Sequence, residues 1–330
     1  MTHVTPTIAA VSTTSMRVRQ ARAGRAFTLA VRAAVDDAKA GDALRSVTVI
    51  VPSNAAGLSL RRLLGSNLLD DSPTLGPRGI ANVAFATPFQ FATTVAAREL
   101  AMAGRRPLTT AVLAAGVRHV LRERGGRFAA VAQHTATETA LVRAYAELTE
   151  LDDDQRDRLR AGGNARTIDL LDFVEGVTTH LASGSVGGYH DESAVFDTAT
   201  RLIRSGGVAD TAVVLAGPFE QGSSTRAFLG VVASWYPGVA VVALTGDPVV
   251  DDASVGQLST ICGTSPEVEP IEMRPPDALL PASDSDDEVR VVVREVIRRA
   301  EAGERFDRMA VFHPASNPYA RTLREQFATA

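Results

Sequence analysis

A chain segment that wraps a polyphosphate needs three things. Glycines let backbone N–H groups close around the anion, a Lys reaches the outer phosphates, and a hydroxyl holds Mg²⁺, at the spacing Gly-x-x-x-x-Gly-Lys-Ser/Thr. The nearest approach here is Arg19-Gln20-Ala21-Arg22-Ala23-Gly24-Arg25-Ala26, directly before a helical pattern. Only Gly24 stands where a glycine belongs. Arg19 takes the place of the first glycine, Arg25 that of the Lys and Ala26 that of the hydroxyl, and Thr28 comes too late to substitute. Arg25 keeps the charge, but a planar guanidinium is not a compact phosphate contact. Taken alone, the segment also reads as an ordinary loop–helix junction.

A metal at such a site needs a carboxylate at the end of a later strand. The run Val213-Val214-Leu215 is followed by Ala216-Gly217-Pro218, and Glu220 with Gln221 comes several residues late. Three other segments pass from an apolar run to polar residues: Ser53-Asn54, Thr87 with Phe89-Gln90, and Gly246-Asp247. A hydroxyl or amide at a strand end can meet a phosphate. Phe89 either stacks a base or sits in the core. Arg61 and Arg62, on the following helix, are either phosphate contacts or a solvated face. His190-Asp191-Glu192 has no spaced metal-binding partner and reads as a polar loop. Cys262 is the single cysteine, so no disulfide or cysteine cluster forms within this chain, and it reads as a small buried residue.

These residues need elements to position them. SVTVIVPS at 46–53, Val83 to Ala86, TAVVLAG at 211–217 and VAVVALT at 239–245 read as strands. The later runs are apolar throughout, as strands covered on both faces are. The four should share one parallel α/β sheet. Helices are expected over 25–39, from Leu58 to Leu64, over 89–103 and around Phe228 to Trp235. Residues 108–182 carry helical spacing only, with Thr137 as an N-cap, and form an all-helical insertion. Residues 1–15 are a loose lead-in, 70–79 a loop and SGSVGG at 183–188 a joint. Prolines gather in a linker at 264–284. Ser285 with Glu288 is a capping-box pattern that opens a helix, followed by a strand at 308–313 and a helix over 317–328.

The 330 residues exceed one compact core. The expected units are 1–107 and 191–263, two parts of one α/β domain; 108–190, the insertion; 264–284, the linker; and 285–330, the opening of a second α/β domain, cut short at 330. The net charge of −4 excludes a diffuse basic field, so any nucleic-acid site must be a local patch. Lys39 is the only lysine. No apolar run is long enough to span a bilayer and no signal peptide is visible, so a cytoplasmic setting without membrane contact is expected.

The order of these segments carries a resemblance. SNAAGLSLRRLL resembles the segment of UvrD-type helicases that touches single-stranded DNA, and ATPFQFATTV resembles their Thr-Phe-His-Ser-Phe segment. LTGDP resembles their Gly-Asp-x-x-Gln motif, with Val249-Val250 following and the Gln missing. RPLTTAVLAAGVRHVLRER, AELTELDDDQRDRL and VVLAGPFEQGSSTRAFLGVV are closer to the AddB/RexB family, the helicase-like, nuclease-bearing subunit of bacterial double-strand-break resection complexes.

The resemblance implies a RecA-like (P-loop NTPase-like) domain with a helical insertion and the start of a second RecA-like domain. It implies a degenerate nucleotide site at Gly24, Arg25, Ala26, Gly246 and Asp247. Single-stranded DNA contacts would fall at Ser53, Asn54, Arg61, Arg62, Thr87, Phe89 and Gln90. An AddA-like motor subunit would be the partner, with DNA ends as the shared substrate. The family's nuclease and its cysteine-ligated iron–sulfur cluster are absent from these residues, and no metal or ATP is expected here. The leading expectation is a non-catalytic, DNA-gripping portion of a DNA-repair subunit. The alternatives are an active ATP-driven helicase and a scaffold without DNA affinity.

Overall fold

The computed structural model describes residues 16–66, 69, 79–183, 188–206, 210–219, 222–264, 266, 271, 278–314 and 317–329. The expected lead-in at 1–15, most of the loop at 70–79, the centre of the joint at 183–188, much of the linker, and Glu220 with Gln221 lie outside the described residues. The chain divides into two packed units, residues 1–273 and 274–330.

In chain order the first unit holds β1 (Arg17–Arg22), α1 (Arg25–Lys39), β2 (Val47–Ile50), α2 (Asn54–Leu64), β3 (Val83–Ala86) and α3 (Pro88–Met102). The two-residue strand β4 (Arg106–Pro107) then leads into α4 (Thr110–Arg124), a 3₁₀ segment (Gly126–Val131), α5 (Thr135–Thr149), α6 (Asp153–Gly162) and α7 (Ala165–Ala182). After β5 (Tyr189–His190) come α8 (Glu192–Arg204), β6 (Ala212–Gly217), α9 (Ser223–Trp235), β7 (Gly238–Leu244) and α10 (Pro248–Cys262).

The main sheet has the order β1-β7-β6-β2-β3, and every neighbouring pair is parallel. The four expected strands share it, although the insertion separates the second from the third. Its fifth strand, β1, was not expected. RVRQAR is mostly charged or polar, because an edge strand buries little: its two ends are exposed and its middle half-buried. Both faces of the sheet are covered. Val31, Val35, Leu60 and Leu64 of α1 and α2 pack on one side with Val47, Val49 and Val214. Phe91, Phe196, Phe228 and Leu258 of α3, α8, α9 and α10 pack on the other with Ile50, Val213 and Leu215.

The insertion has its own core, in which Leu113, Val117 and Leu121 of α4 meet Leu141 and Tyr145 of α5 and Phe173, Val177 and Leu181 of α7. Its chain enters and leaves side by side, because β4 and β5 pair in parallel. α5 begins two residues before the expected cap at Thr137, with His134 at the N-cap and no side-chain bond there.

Two helices missed in the sequence, α8 and α10, flank the strands. α8 carries a clear period, with Val195, Phe196, Ala199 and Ile203 all buried. α10 begins inside the LTGDPVV segment, whose Pro248 sets the first helical turn.

In the second unit, α11 (Ser285–Glu301) is capped by Asp284, whose carboxylate accepts from Asp287 N, and not by Ser285. The expected strand at 308–313 does not form. A 3₁₀ turn (Phe306–Arg308) precedes an extended, unpaired stretch in which Phe312 is 94% exposed, and α12 (Tyr319–Thr329) follows. The pattern of RMAVFH suits a strand, but a strand needs a neighbour to take its backbone groups, and none of the described residues supplies one.

One close approach fixes the centre of the sheet. A Cβ on Gly238 would lie 1.7 Å from the carbonyl oxygen of Val213 in the adjoining strand. Gly238→Ala therefore forces β7 away from β6. We expect a loss of about 3 kcal/mol or more in denaturant-measured stability. A variant that melts with the wild type would show that the strands do not approach in this way.

Candidate functional site at the carboxyl edge of the sheet

In a parallel sheet every strand ends at the same edge, and ligands of open α/β folds bind in crevices there. The structure brings most of the sequence-selected residues to this edge. At one end, β1 and β7 are neighbours, so Gly24 and Arg25 follow Arg22 beside the loop Thr245–Asp247 that follows Leu244, its register partner. Ala23 N donates to Leu244 O at 2.7 Å. Three strand spacings away, roughly 14 Å, β2 ends at Ser53-Asn54, and beside it β3 ends at Thr87 through Gln90.

The β1 end is a tight turn. Arg19 to Arg22 lie inside the strand, and only Ala23 and Gly24 separate it from α1. Gly24 takes φ 92°, a left-handed conformation that favours glycine. Two residues cannot enclose a phosphate as an eight-residue loop does. Thr28 is buried, and its hydroxyl donates to Gly24 O at 3.1 Å. Arg25 Nη2 donates to Leu69 O at 3.0 Å, and Arg19 pairs with Asp37 at 2.6 Å.

Among the described residues the middle of the edge does not offer a metal ligand either. β6 ends at Gly217, followed by a cis peptide to Pro218 and by Phe219, which is buried. Phe219 N donates to the side-chain oxygen of Gln257 on α10 at 3.2 Å. The described residues of this edge therefore do not by themselves fit a Mg²⁺–nucleotide pair.

At the β2 and β3 ends the polar groups serve the helices. The Ser53 hydroxyl accepts from Ala56 N at 3.2 Å as the N-cap of α2. Thr87 and Gln90 form a reciprocal capping box on α3: Gln90 N donates to the Thr87 hydroxyl, and Thr87 N to the Gln90 side-chain oxygen. Asn54 and Gln90 are exposed. Phe89 satisfies neither sequence alternative fully. It is 39% exposed, and its ring meets Phe196 edge-on with centroids 6.1 Å apart. Arg61 and Arg62 stand apart from these loops. They lie in the last turn of α2, about 12–14 Å along the helix from Ser53, exposed, where cations complement the helix dipole.

Asp247 is the N-cap of α10 and accepts from Val249 N and Val250 N. The carboxylate that holds its loop is Asp251, which sequence reasoning missed because it reads as an ordinary first-turn acid. Asp251 is 3% exposed. It accepts from Thr245 N at 2.7 Å, the Thr245 hydroxyl at 3.0 Å and Gly246 N at 2.8 Å. Burial pushes its pKa up, but the bonds from Thr245 and Gly246 outweigh burial and leave it below the usual aspartate range.

His190-Asp191-Glu192 lies at the base of the insertion, and the neighbouring Ser193 Oγ meets Ser224 Oγ at the start of α9 at 3.4 Å. Asp191 caps α8, and burial lowers the His190 pKa. Among the described residues no group of three His, Cys, Asp or Glu is placed to hold a metal. Cys262 is buried, and burial pushes its thiol up to about 12. Among the described residues no helix is long and apolar enough to cross a membrane.

A carboxylate whose pKa is lowered by folding stabilises the fold above its unfolded pKa and loses that effect as the pH falls through its folded value. Asp251→Asn should thus cost about 1–3 kcal/mol at neutral pH. The gap to wild type should narrow under acid conditions below the ordinary aspartate range. Urea titrations between pH 7 and pH 2 test this, and parallel curves would show that the charge on Asp251 does not hold the loop.

No known family model matches the chain, and no curated protein matches it.

Proposed function

We propose that this chain is a RecA-like, helicase-like portion of an AddB-type subunit, acting in DNA double-strand-break end processing and recombinational repair. It grips single-stranded DNA or DNA ends beside an AddA-like motor partner and does not itself hydrolyse ATP. One observation carries this reading: Ser53-Asn54, Thr87–Gln90 and Gly246-Asp247 stand along the same edge of one parallel sheet. The helical insertion between the third and fourth strands in chain order, and the two-residue turn at Gly24, agree with a motor-like fold without a working phosphate loop.

A scaffold without DNA affinity is the second reading, and a specific feature favours it. The hydroxyls of Ser53 and Thr87 are engaged as helix caps, and no Lys or Arg falls within 53–54 or 87–90. Binding at this edge would rest on exposed amides and on Phe89. The sequence-selected cations, Arg22 and Arg25 at the β1 end and Arg61 and Arg62 in the last turn of α2, lie outside these loops.

Gel shifts of a single-stranded tail on a duplex, run across a salt series, separate the two. We expect sequence-tolerant binding that weakens as salt rises. No shift at low salt would leave the scaffold. Phe89→Ala should weaken binding by about 1–3 kcal/mol where the ring stacks a base. Lost thermal stability with unchanged affinity would assign Phe89 to packing against Phe196.

Phosphate release from ATP should stay at background with and without single-stranded DNA. DNA-stimulated release that vanishes in Arg25→Ala would overturn the non-hydrolytic reading.

A further inference from the structure

The insertion and the α/β part of the first unit are two lobes with separate cores. The chain crosses between them twice, at β4 and β5. The crossings are tied to each other by Arg106 N donating to Gly188 O and Leu108 N donating to His190 O, both at 2.9 Å. Arg105 Nη2 adds a bond to Tyr189 O at 2.7 Å. Two short strands side by side resist being pulled apart but can twist.

Directly beside this neck the lobes face each other across a cleft of about 400 Å³. Thr110 and Leu113 of α4 and Tyr145 of α5 form one wall; Phe196 of α8 and Ser224 of α9 belong to the other. Among the described residues two bonds bridge it. Ser223 Oγ donates to Glu150 O, and Tyr145 Oη donates to an Asp191 carboxylate oxygen at 2.8 Å. Tyr145 is 4% exposed. The second oxygen of Asp191 accepts from Ala194 N at 2.9 Å, so the carboxylate is fixed to α8 while it receives the phenol.

Glu150 lies on the insertion, Asp191 and Glu192 lie opposite, and no Lys or Arg among the described residues lines this cleft; Arg156 of α6 lies in the adjoining cavity, which Asp191 and Asp197 also line. Burial raises the Glu192 pKa, and the charges of Glu150 and Asp191 raise it further. Like charges across a gap favour separation, and a charge-assisted bond across the same gap opposes it.

We propose that the helical insertion is a pivoting lobe, hinged at the paired strands β4 and β5 and held shut by the Tyr145–Asp191 hydrogen bond, so that loss of this bond opens the cleft. The lobe moves as a body because its core is its own. The hinge is the only covalent link, and water can take over the polar groups released at the bridge.

The test is an inter-lobe distance distribution measured by paired spin labels at Arg143→Cys and Arg226→Cys in a Cys262→Ala background. Both label sites are exposed and lie outside the bridge. Tyr145→Phe keeps the ring and removes only the donor. It should raise a longer-distance population about tenfold over the parent, while amides of α4 and α7 keep their protection from hydrogen exchange. An unchanged distribution would overturn the proposal, because the lobes would then be rigid without the bond. A longer distance accompanied by lost protection in α7 would also overturn it, because the insertion would be unfolding and not pivoting.

Discussion

Strand β6 is hydrogen-bonded to a neighbour on each side and is buried at every position from Ala212 to Gly217. Its alternating side chains hold both cores of the α/β part. Val213 and Leu215 enter the cluster with α3, α8, α9 and α10, while Ala212, Val214 and Ala216 enter the cluster with α1 and α2. Neither layer of helices can shift without disturbing this strand. The period of two in side-chain direction turns one six-residue segment into the shared wall of two packed layers. Its neighbour β7 must come close enough to complete the ladder, which is why a residue without a side chain begins that strand.

With both faces closed by helices, only the ends of the strands remain open to a ligand. The carboxyl edge gathers residues that are far apart in sequence, yet most of their polar groups are already used. The hydroxyls of Ser53 and Thr87 and the carboxylates of Asp247 and Asp251 all bind backbone N–H groups at the starts of helices or loops. Among the described residues, such a rim carries few charges in its central part. It suits recognition by shape and stacking better than strong attraction of phosphate, in keeping with the net charge of the chain.

The legible parts of the fold were those that bury most. The four expected strands, edge strand β3 among them, and the helices of the insertion announce themselves through their apolar runs and periods. β1 escaped because an edge strand need not be apolar, and its arginines drew attention to phosphate chemistry instead. α8 was readable from Val195, Phe196, Ala199 and Ile203, but the glycine-rich joint before it suggested a loop. The segment at 308–313 shows the opposite failure. Its pattern is that of a strand, but pairing is a property of neighbours and not of a segment. At the site, strand ends could be located from sequence, whereas the occupation of each hydroxyl depends on which helix begins beside it. Asp251 gave no signal, since its role comes from the fold of the loop six residues earlier.

The pairing of β4 with β5 also bears on how the chain reaches its fold. Roughly 125 residues separate the end of β3 from the start of β6, and joining ends so distant carries an entropic cost that grows with the logarithm of the span. The helical insertion consists of local contacts, which form early. Once it has folded, its two ends lie together at the neck, and the span still to be closed shrinks to roughly 45 residues. By the same logarithmic relation this eases the later β2–β6 pairing by about 1 kcal/mol. An interruption that looks like an obstacle to forming the sheet thus shortens the search for it.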